Sequence, residues 1–244
     1  AMVCRRIWEA ATRTFPIDAL LFLPIAFNLD TLYSWARPEA ASDPVLVLKA
    51  SYLNQPFFFV RAAIFFAIWG ILIFFLNRWS KDQDAAAALP PGPADSKFRT
   101  LSGPGLVLFV LTVTFMSVDW IMSLDPHWFS TMFGVIFIGG QGLGAIAFSI
   151  VILGALAHVR PFSQAMTVTQ LHDLGKLLLA FVMLWAYFSF SQFLIIYSAN
   201  LPEEIPFYLE RFHGACGWLS LALAMFHFVL RFTLLLSADI KKNR

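Results

Sequence analysis

Long apolar runs alternate with short polar breaks along this chain, and the runs decide its architecture. A membrane-crossing helix needs about 20 mostly apolar residues at roughly 1.5 Å of rise each. Six runs meet that length, at roughly 15–35, 57–76, 103–122, 129–157, 171–198 and 213–237. The first carries Pro16, Asp18 and Pro24; Pro24 has no amide hydrogen and should kink it, while Asp18 suits equally a buried acid of the inner half and a first-turn helix position. The fourth carries Gly139, Gly140, Gly142 and Gly144, of which Gly140 and Gly144 form a GxxxG pair that lets another helix approach closely. The pattern predicts an all-α fold: a polytopic transmembrane helix bundle of about six spans, forming a single domain over 1–244. Residues 77–102, with the Ala85–Ala88 run and Leu89-Pro-Pro-Gly-Pro93, read as a flexible linker.

Composition supports the membrane reading, because 59% hydrophobic and only 13% charged residues, with a mean hydropathy of +0.72, do not describe an ordinary soluble domain. A net charge of +2 without any basic run excludes nucleic acid as a partner. Cys4 and Cys216 are the only cysteines. They form neither an iron–sulfur motif nor a disulfide framework, so a redox centre would need histidine ligands or a partner subunit. The opening Ala1-Met-Val-Cys-Arg-Arg-Ile lacks the pattern of a signal peptide and reads as a start in mid-protein.

Loop charge predicts orientation. Arg5, Arg6, Arg13, the four basic residues of 78–99, Arg160, Lys176 and the four of 231–244 total thirteen on one side, against Arg37, Lys49 and Arg211 on the other, with Arg61 inside the second run. Basic residues favour the cytoplasmic side, which places both ends there and gathers Asp119, Asp125, His127, Glu203, Glu204, Glu210 and His213 at the outer face.

The densest chemistry lies in Ser117-Val-Asp-Trp-Ile-Met-Ser-Leu-Asp-Pro-His-Trp-Phe-Ser-Thr-Met-Phe133. Asp119 still sits in an apolar run, Asp125-Pro126-His127 forms the turn, and Trp120 and Trp128 flank it as residues that favour a membrane–water interface. A carboxylate in that position is costly unless it faces a bundle interior, a ligand or a proton path. Asn200-Leu-Pro-Glu-Glu-Ile-Pro206, followed by Glu210, Arg211 and His213, reads either as a solvated turn or as a docking or proton-exit surface. Arg231 reads as a snorkelling anchor. His213 and His227 are fourteen residues apart, which on a continuous helix brings them within about 40° of one face and about 21 Å apart. Two stacked haems have that spacing, but no second helix repeats it. Hydrogen-bonded or proton-handling histidines are therefore the simpler reading. Phosphate loops, HExxH and nucleophile–base constellations are missing from the sequence.

The 117–133 stretch, with Tyr52-Leu-Asn-Gln-Pro-Phe57 before it and Phe193-Leu-Ile-Ile-Tyr-Ser-Ala-Asn-Leu-Pro-Glu-Glu204 and Leu236-Ser-Ala-Asp-Ile-Lys-Lys-Asn243 after it, resembles the ActF subunits (quinone-binding subunit 2) of bacterial alternative complex III, within the NrfD/PsrC-like membrane proteins. The resemblance implies a quinol:cytochrome c oxidoreductase subunit in the bacterial inner membrane. It also implies that the chain is part of a roughly ten-span subunit and holds no metal or cofactor of its own. Quinol would be the substrate. Iron–sulfur clusters and c haems would sit on partner subunits: an iron–sulfur protein, c-type cytochromes and a sister NrfD-like subunit. On this reading Asp119, His127, Glu203 and His213 handle protons or the quinol head group, with Trp120, Asp125 and Trp128 lining the quinone. Quinol oxidation releases protons, which need acceptors within hydrogen-bond reach. A haem-bearing cytochrome b-type carrier and a secondary transporter are the alternatives, the latter suggested by Pro24 and the glycines of the fourth run.

Overall fold

The computed structural model describes residues 2–85, 94–159 and 167–237. Of the described residues 86% are helical and none is in a strand, and six helices among them are long and apolar enough to cross a membrane: Cys4–Phe27, Gln55–Ala85, Lys97–Leu124, Phe133–Ala155, Val168–Ala199 and Gly214–Leu236. These fit a multi-pass membrane protein. The chain forms two compact units, Trp8–His127 and a second made of Ala1–Ile7 with Trp128–Arg244.

In chain order the helices are α1 (Met2–Ala11), α2 (Phe15–Phe27), α3 (Leu29–Leu32), α4 (Pro44–Lys49), α5 (Gln55–Ala85) and α6 (Ala94–Trp120). They continue as α7 (Phe133–Ala155), α8 (Val168–Ala199), α9 (Pro206–Phe212), α10 (Gly214–Ala222) and α11 (Leu230–Leu236), with a π-helical stretch, Leu223–Val229, joining the last two.

Two expectations shift. The first span starts earlier than residue 15, because α1 leads into α2 through a single 3₁₀ turn at Thr12–Thr14. Pro24 lies inside α2, which runs to Phe27, and Asn28 donates from Nδ2 to the Pro24 carbonyl at 2.9 Å. The linker expected over 77–102 is helical at 77–85 and 94–102, leaving 86–93 outside the described residues. Most of the Leu236–Asn243 motif also lies outside them.

In the Trp8–His127 unit, α5 and α6 pack antiparallel, so the start of α5 meets the end of α6. Asn54 caps α5 by accepting the Phe57 amide at 2.9 Å on its side chain, and Pro56 occupies the first turn, where no amide hydrogen is needed. The core at this end is aromatic: Phe22, Leu29, Tyr33, Trp35, Leu46, Phe58 and Ala62 are buried, with Trp120 packed against them. Further along, the Trp69 indole donates to Thr112 Oγ1 at 2.9 Å across the α5–α6 seam. Near the far end, Ser80 donates to Glu9 at 2.6 Å and Asn77 to Thr12 at 3.0 Å, tying α1 and its 3₁₀ turn to α5.

In the other unit, α7 packs along α8, which opens with a capping box in which Thr167 and Gln170 satisfy each other's backbone amides. The close approach runs along Gly139 and Gly142 rather than Gly140 and Gly144. A Cβ at Gly142 would stand 2.3 Å from the Phe181 ring and one at Gly139 3.5 Å from Phe188, whereas Gly144 has nothing within 4 Å. Gly139 and Gly142 thus serve packing inside the chain.

Candidate functional site

Asp119 is the penultimate residue of α6 and is fully buried. Its partner is Arg61, in the second turn of α5, whose Nε donates to Asp119 Oδ2 at 2.6 Å. Arg61 is itself only 7% exposed. Its Nη1 donates to the Tyr52 carbonyl at 2.8 Å, and its guanidinium lies 3.9 Å from the Tyr52 ring centroid and 4.3 Å from that of Phe57. The cation thus packs against two aromatic rings that stand at right angles to each other with centroids 5.9 Å apart. The antiparallel seam makes the pairing possible, since the start of one span and the end of the next lie side by side.

Around this pair the backbone is tied down. Ser123 Oγ donates to the Asp119 carbonyl, and the Tyr33 hydroxyl donates to the Trp120 carbonyl at 2.9 Å. Both carbonyls belong to the last turn of α6, which has no helical donors left for them. Burial, followed by the charge of Asp119, pushes the Tyr33 hydroxyl up to about 12. Burial, followed by Asp119, also drives the Tyr52 hydroxyl well above its ordinary range.

Three polar atoms in this cluster are buried without a hydrogen-bond partner among the described residues: Asp119 Oδ1, Arg61 Nη2 and the Tyr52 hydroxyl. The hydroxyl is near enough to feel the Asp119 charge but does not reach it in hydrogen-bonding geometry.

The other residues singled out in the sequence fall elsewhere. His127 is exposed and pairs through Nε2 with Asp43 Oδ2 at 2.6 Å; it belongs to a separate network from Asp119. Asp43 also caps α4 by accepting the Val45 amide at 2.9 Å. Desolvation pulls the Asp43 carboxyl upward, but the Val45 amide and His127 together outweigh it and hold the group below the usual carboxylate range. Lys49 Nζ donates to the Pro126 carbonyl at 2.6 Å, so the 125–127 turn is bolted to α4 at two points. Asp125 is exposed. Trp120 packs on Phe22 with ring centroids 4.6 Å apart, which makes it part of the aromatic core.

In the second unit, Trp128 is buried and stacks on Phe207 at 3.9 Å with the rings nearly parallel. Glu203 is exposed, while Glu204 borders a cavity of about 100 Å³ with Ser130, Thr131, Met132, Gln192 and Ile196. Ser130 donates to the buried Gln192 Oε1 at 3.1 Å on one wall. His213 is exposed, its Nδ1 lying 2.6 Å from the Leu209 carbonyl.

The helix that should align His213 with His227 is interrupted. His213 has extended backbone before α10, and His227 lies in the π-helical stretch against the Trp185 ring at 4.6 Å. The fourteen-residue spacing therefore does not place the two histidines on one α-helical face. Among the described residues no group of three His, Cys, Asp or Glu side chains could hold a metal ion.

No family model and no curated protein matches this chain.

Sequence reasoning missed Arg61, Tyr52, Tyr33 and Asp43. A usable signal existed for Arg61: a lone arginine inside one apolar run calls for a counter-charge, and Asp119 is the acid inside the next run.

Proposed function

We propose that this chain is an integral membrane subunit of a respiratory quinol:cytochrome c oxidoreductase, inactive alone, in which Asp119 handles protons released when the assembly oxidises quinol. The quinol is oxidised by electron transfer to iron–sulfur and c-haem partner subunits, and both ends of this stretch face the cytoplasm of a bacterial inner membrane. The observation that carries the reading is the Asp119 carboxylate, fully buried in an apolar helix with one oxygen bound to Arg61 and the other in no hydrogen bond. Ionisable groups inside membrane-spanning segments are expensive, and they concentrate on proton and substrate routes. Support also comes from the resemblance of the 117–133, 52–57 and 193–204 motifs to the ActF subunits.

Complete burial favours proton transfer over contact with the quinol ring, because a ring needs an accessible surface to lie against. Glu203, His127 and His213 are exposed, which suits proton exit better than head-group recognition.

Replacing Asp119 by Asn preserves shape and removes the charge. Quinol:cytochrome c turnover of the assembled complex should then fall at least about tenfold, roughly 1.4 kcal/mol in barrier. Native turnover in an intact D119N complex would reject the role.

A second reading has its own observation, since Arg61 ties α5 to the end of α6 through Asp119 and to the preceding segment through the Tyr52 carbonyl. In that reading the ion pair is a clamp, and D119N lowers the unfolding temperature while leaving turnover intact.

Orientation has a separate test. With Cys4 and Cys216 replaced, cysteines at Ala85 and Ser198, both exposed, should differ: a membrane-impermeant reagent applied to intact cells labels Ser198→Cys and spares Ala85→Cys.

A further inference from the structure

Arg61 and Asp119 meet through one contact instead of the two parallel bonds their shapes allow. Nε reaches Oδ2 at 2.6 Å, while Nη2 and Oδ1 are both buried and neither bonds to the other. Guanidinium and carboxylate commonly pair two-pronged, so a fork that closes on one side only needs a reason. The Arg61 plane is fixed independently, by the Tyr52 carbonyl on Nη1 and by the Tyr52 and Phe57 rings. The Asp119 backbone is fixed by the end of α6, where Ser123 holds its carbonyl. Neither side chain is free to turn and complete the fork.

Each orphaned atom shares a carbon with an atom of the closed contact, so the two lie close together. The buried Tyr52 hydroxyl completes a set of one acceptor, one donor and one group that can act as either. Buried water is held by two to four such groups, and about three is typical. A metal cation would be repelled by the guanidinium, and an anion by the carboxylate. A neutral molecule that both donates and accepts matches the set.

We propose that one bound water joins Arg61 Nη2, Asp119 Oδ1 and the Tyr52 hydroxyl, and that Tyr52 passes protons to Asp119 through it, with Arg61 as the positioning residue. The transfer rests on the proton-handling reading above; the water site does not. Its balance is simple. The Tyr52 oxygen takes a proton from a donor on its side, a quinol hydroxyl under that reading, as its own hydrogen moves to the water and a hydrogen of the water moves to Oδ1. One proton ends on Asp119, and the tyrosine keeps no charge. Burial and the neighbouring carboxylate keep Tyr52 protonated, so it conducts by exchange and not by ionising.

Tyr52→Phe removes a single oxygen and leaves the ring beneath Arg61, so the ion pair should survive. In the assembled complex, a density map that resolves water should show a peak within hydrogen-bonding distance of the three atoms. Infrared spectra in oxygen-isotope-labelled water should contain an isotope-sensitive O–H stretching band that Y52F removes, and Y52F turnover should drop at least about tenfold. A two-pronged Arg61–Asp119 pair without the peak overturns the water site. Slow D119N with native-rate Y52F overturns the transfer through Tyr52 and leaves the Asp119 reading standing. Native-rate D119N rejects that reading and the transfer together, while the infrared band still reports on the water.

Discussion

His127 Nε2 lies 2.6 Å from Asp43 Oδ2, and the two residues are 84 positions apart. The same carboxylate caps α4, so one side chain holds both the helix start and the turn that follows α6. Asp43 titrates below its ordinary value of 3.8. A depressed carboxyl contributes stability that is present above 3.8 and lost as pH falls through its lower folded value. Amide hydrogen exchange at Val45–Lys49 should therefore accelerate in acid below the usual carboxylate range. Asp43→Asn should show fast exchange already at neutral pH, and unchanged protection in that variant would refute the latch.

The opposite sign applies to Tyr33, whose hydroxyl is raised from 10.0 to about 12. A raised value means that the contribution is complete below 10.0 and is lost as pH climbs toward 12. Alkaline unfolding should therefore have a component in that window that Tyr33→Phe abolishes. The variant also leaves the Trp120 carbonyl without its donor, at a cost of about 1–3 kcal/mol near neutral pH. Denaturation curves at neutral and alkaline pH measure both effects.

Gly142 faces the Phe181 ring across the α7–α8 seam. Gly142→Ala should force Phe181 from its rotamer and destabilise the protein by about 1–3 kcal/mol. Gly144→Ala meets nothing within 4 Å and should be neutral or slightly stabilising, because alanine favours helix. Equal thermal shifts for the two variants would contradict the packing.

Arg61→Met strands a buried carboxylate and should cost about 3–5 kcal/mol, whereas Arg61→Met combined with Asp119→Leu should recover most of that loss. Stability of the two variants in a denaturant series decides it. A double variant as unstable as the single one would show that the charge pair is not the cause.

The six spans were legible because apolar length is a one-dimensional property. Their ends were not. Glu9 and Thr12 look like loop residues until Ser80 and Asn77 are seen to bond them, and α5 continues through Lys81-Asp-Gln-Asp84 because a helix can outlast its apolar stretch. Asp119 stood out as an acid in an apolar run, whereas the sequence kept Arg61, 58 residues away, only as a charge to be counted. Asp43 and His127 carry no local mark of their pairing. The histidine spacing on the last span failed for a different reason: fixed angular periodicity assumes an unbroken α-helix, and this one starts after His213 and turns π-helical around His227.

The pair of aromatic rings against Arg61 also bears on how the chain is made. Arg61 emerges from the ribosome 58 residues before Asp119, an interval of several seconds at about 5–20 residues per second. During that time an arginine stands near the start of an apolar helix, a burden below the roughly 2.5–3.5 kcal/mol that the same residue costs at mid-membrane on insertion scales. Tyr52 and Phe57 are its neighbours in sequence, so both rings are already present when it leaves the exit tunnel. They give the cation local shelter until the next span delivers its counter-ion, which makes the second and third spans a unit of insertion as well as of packing.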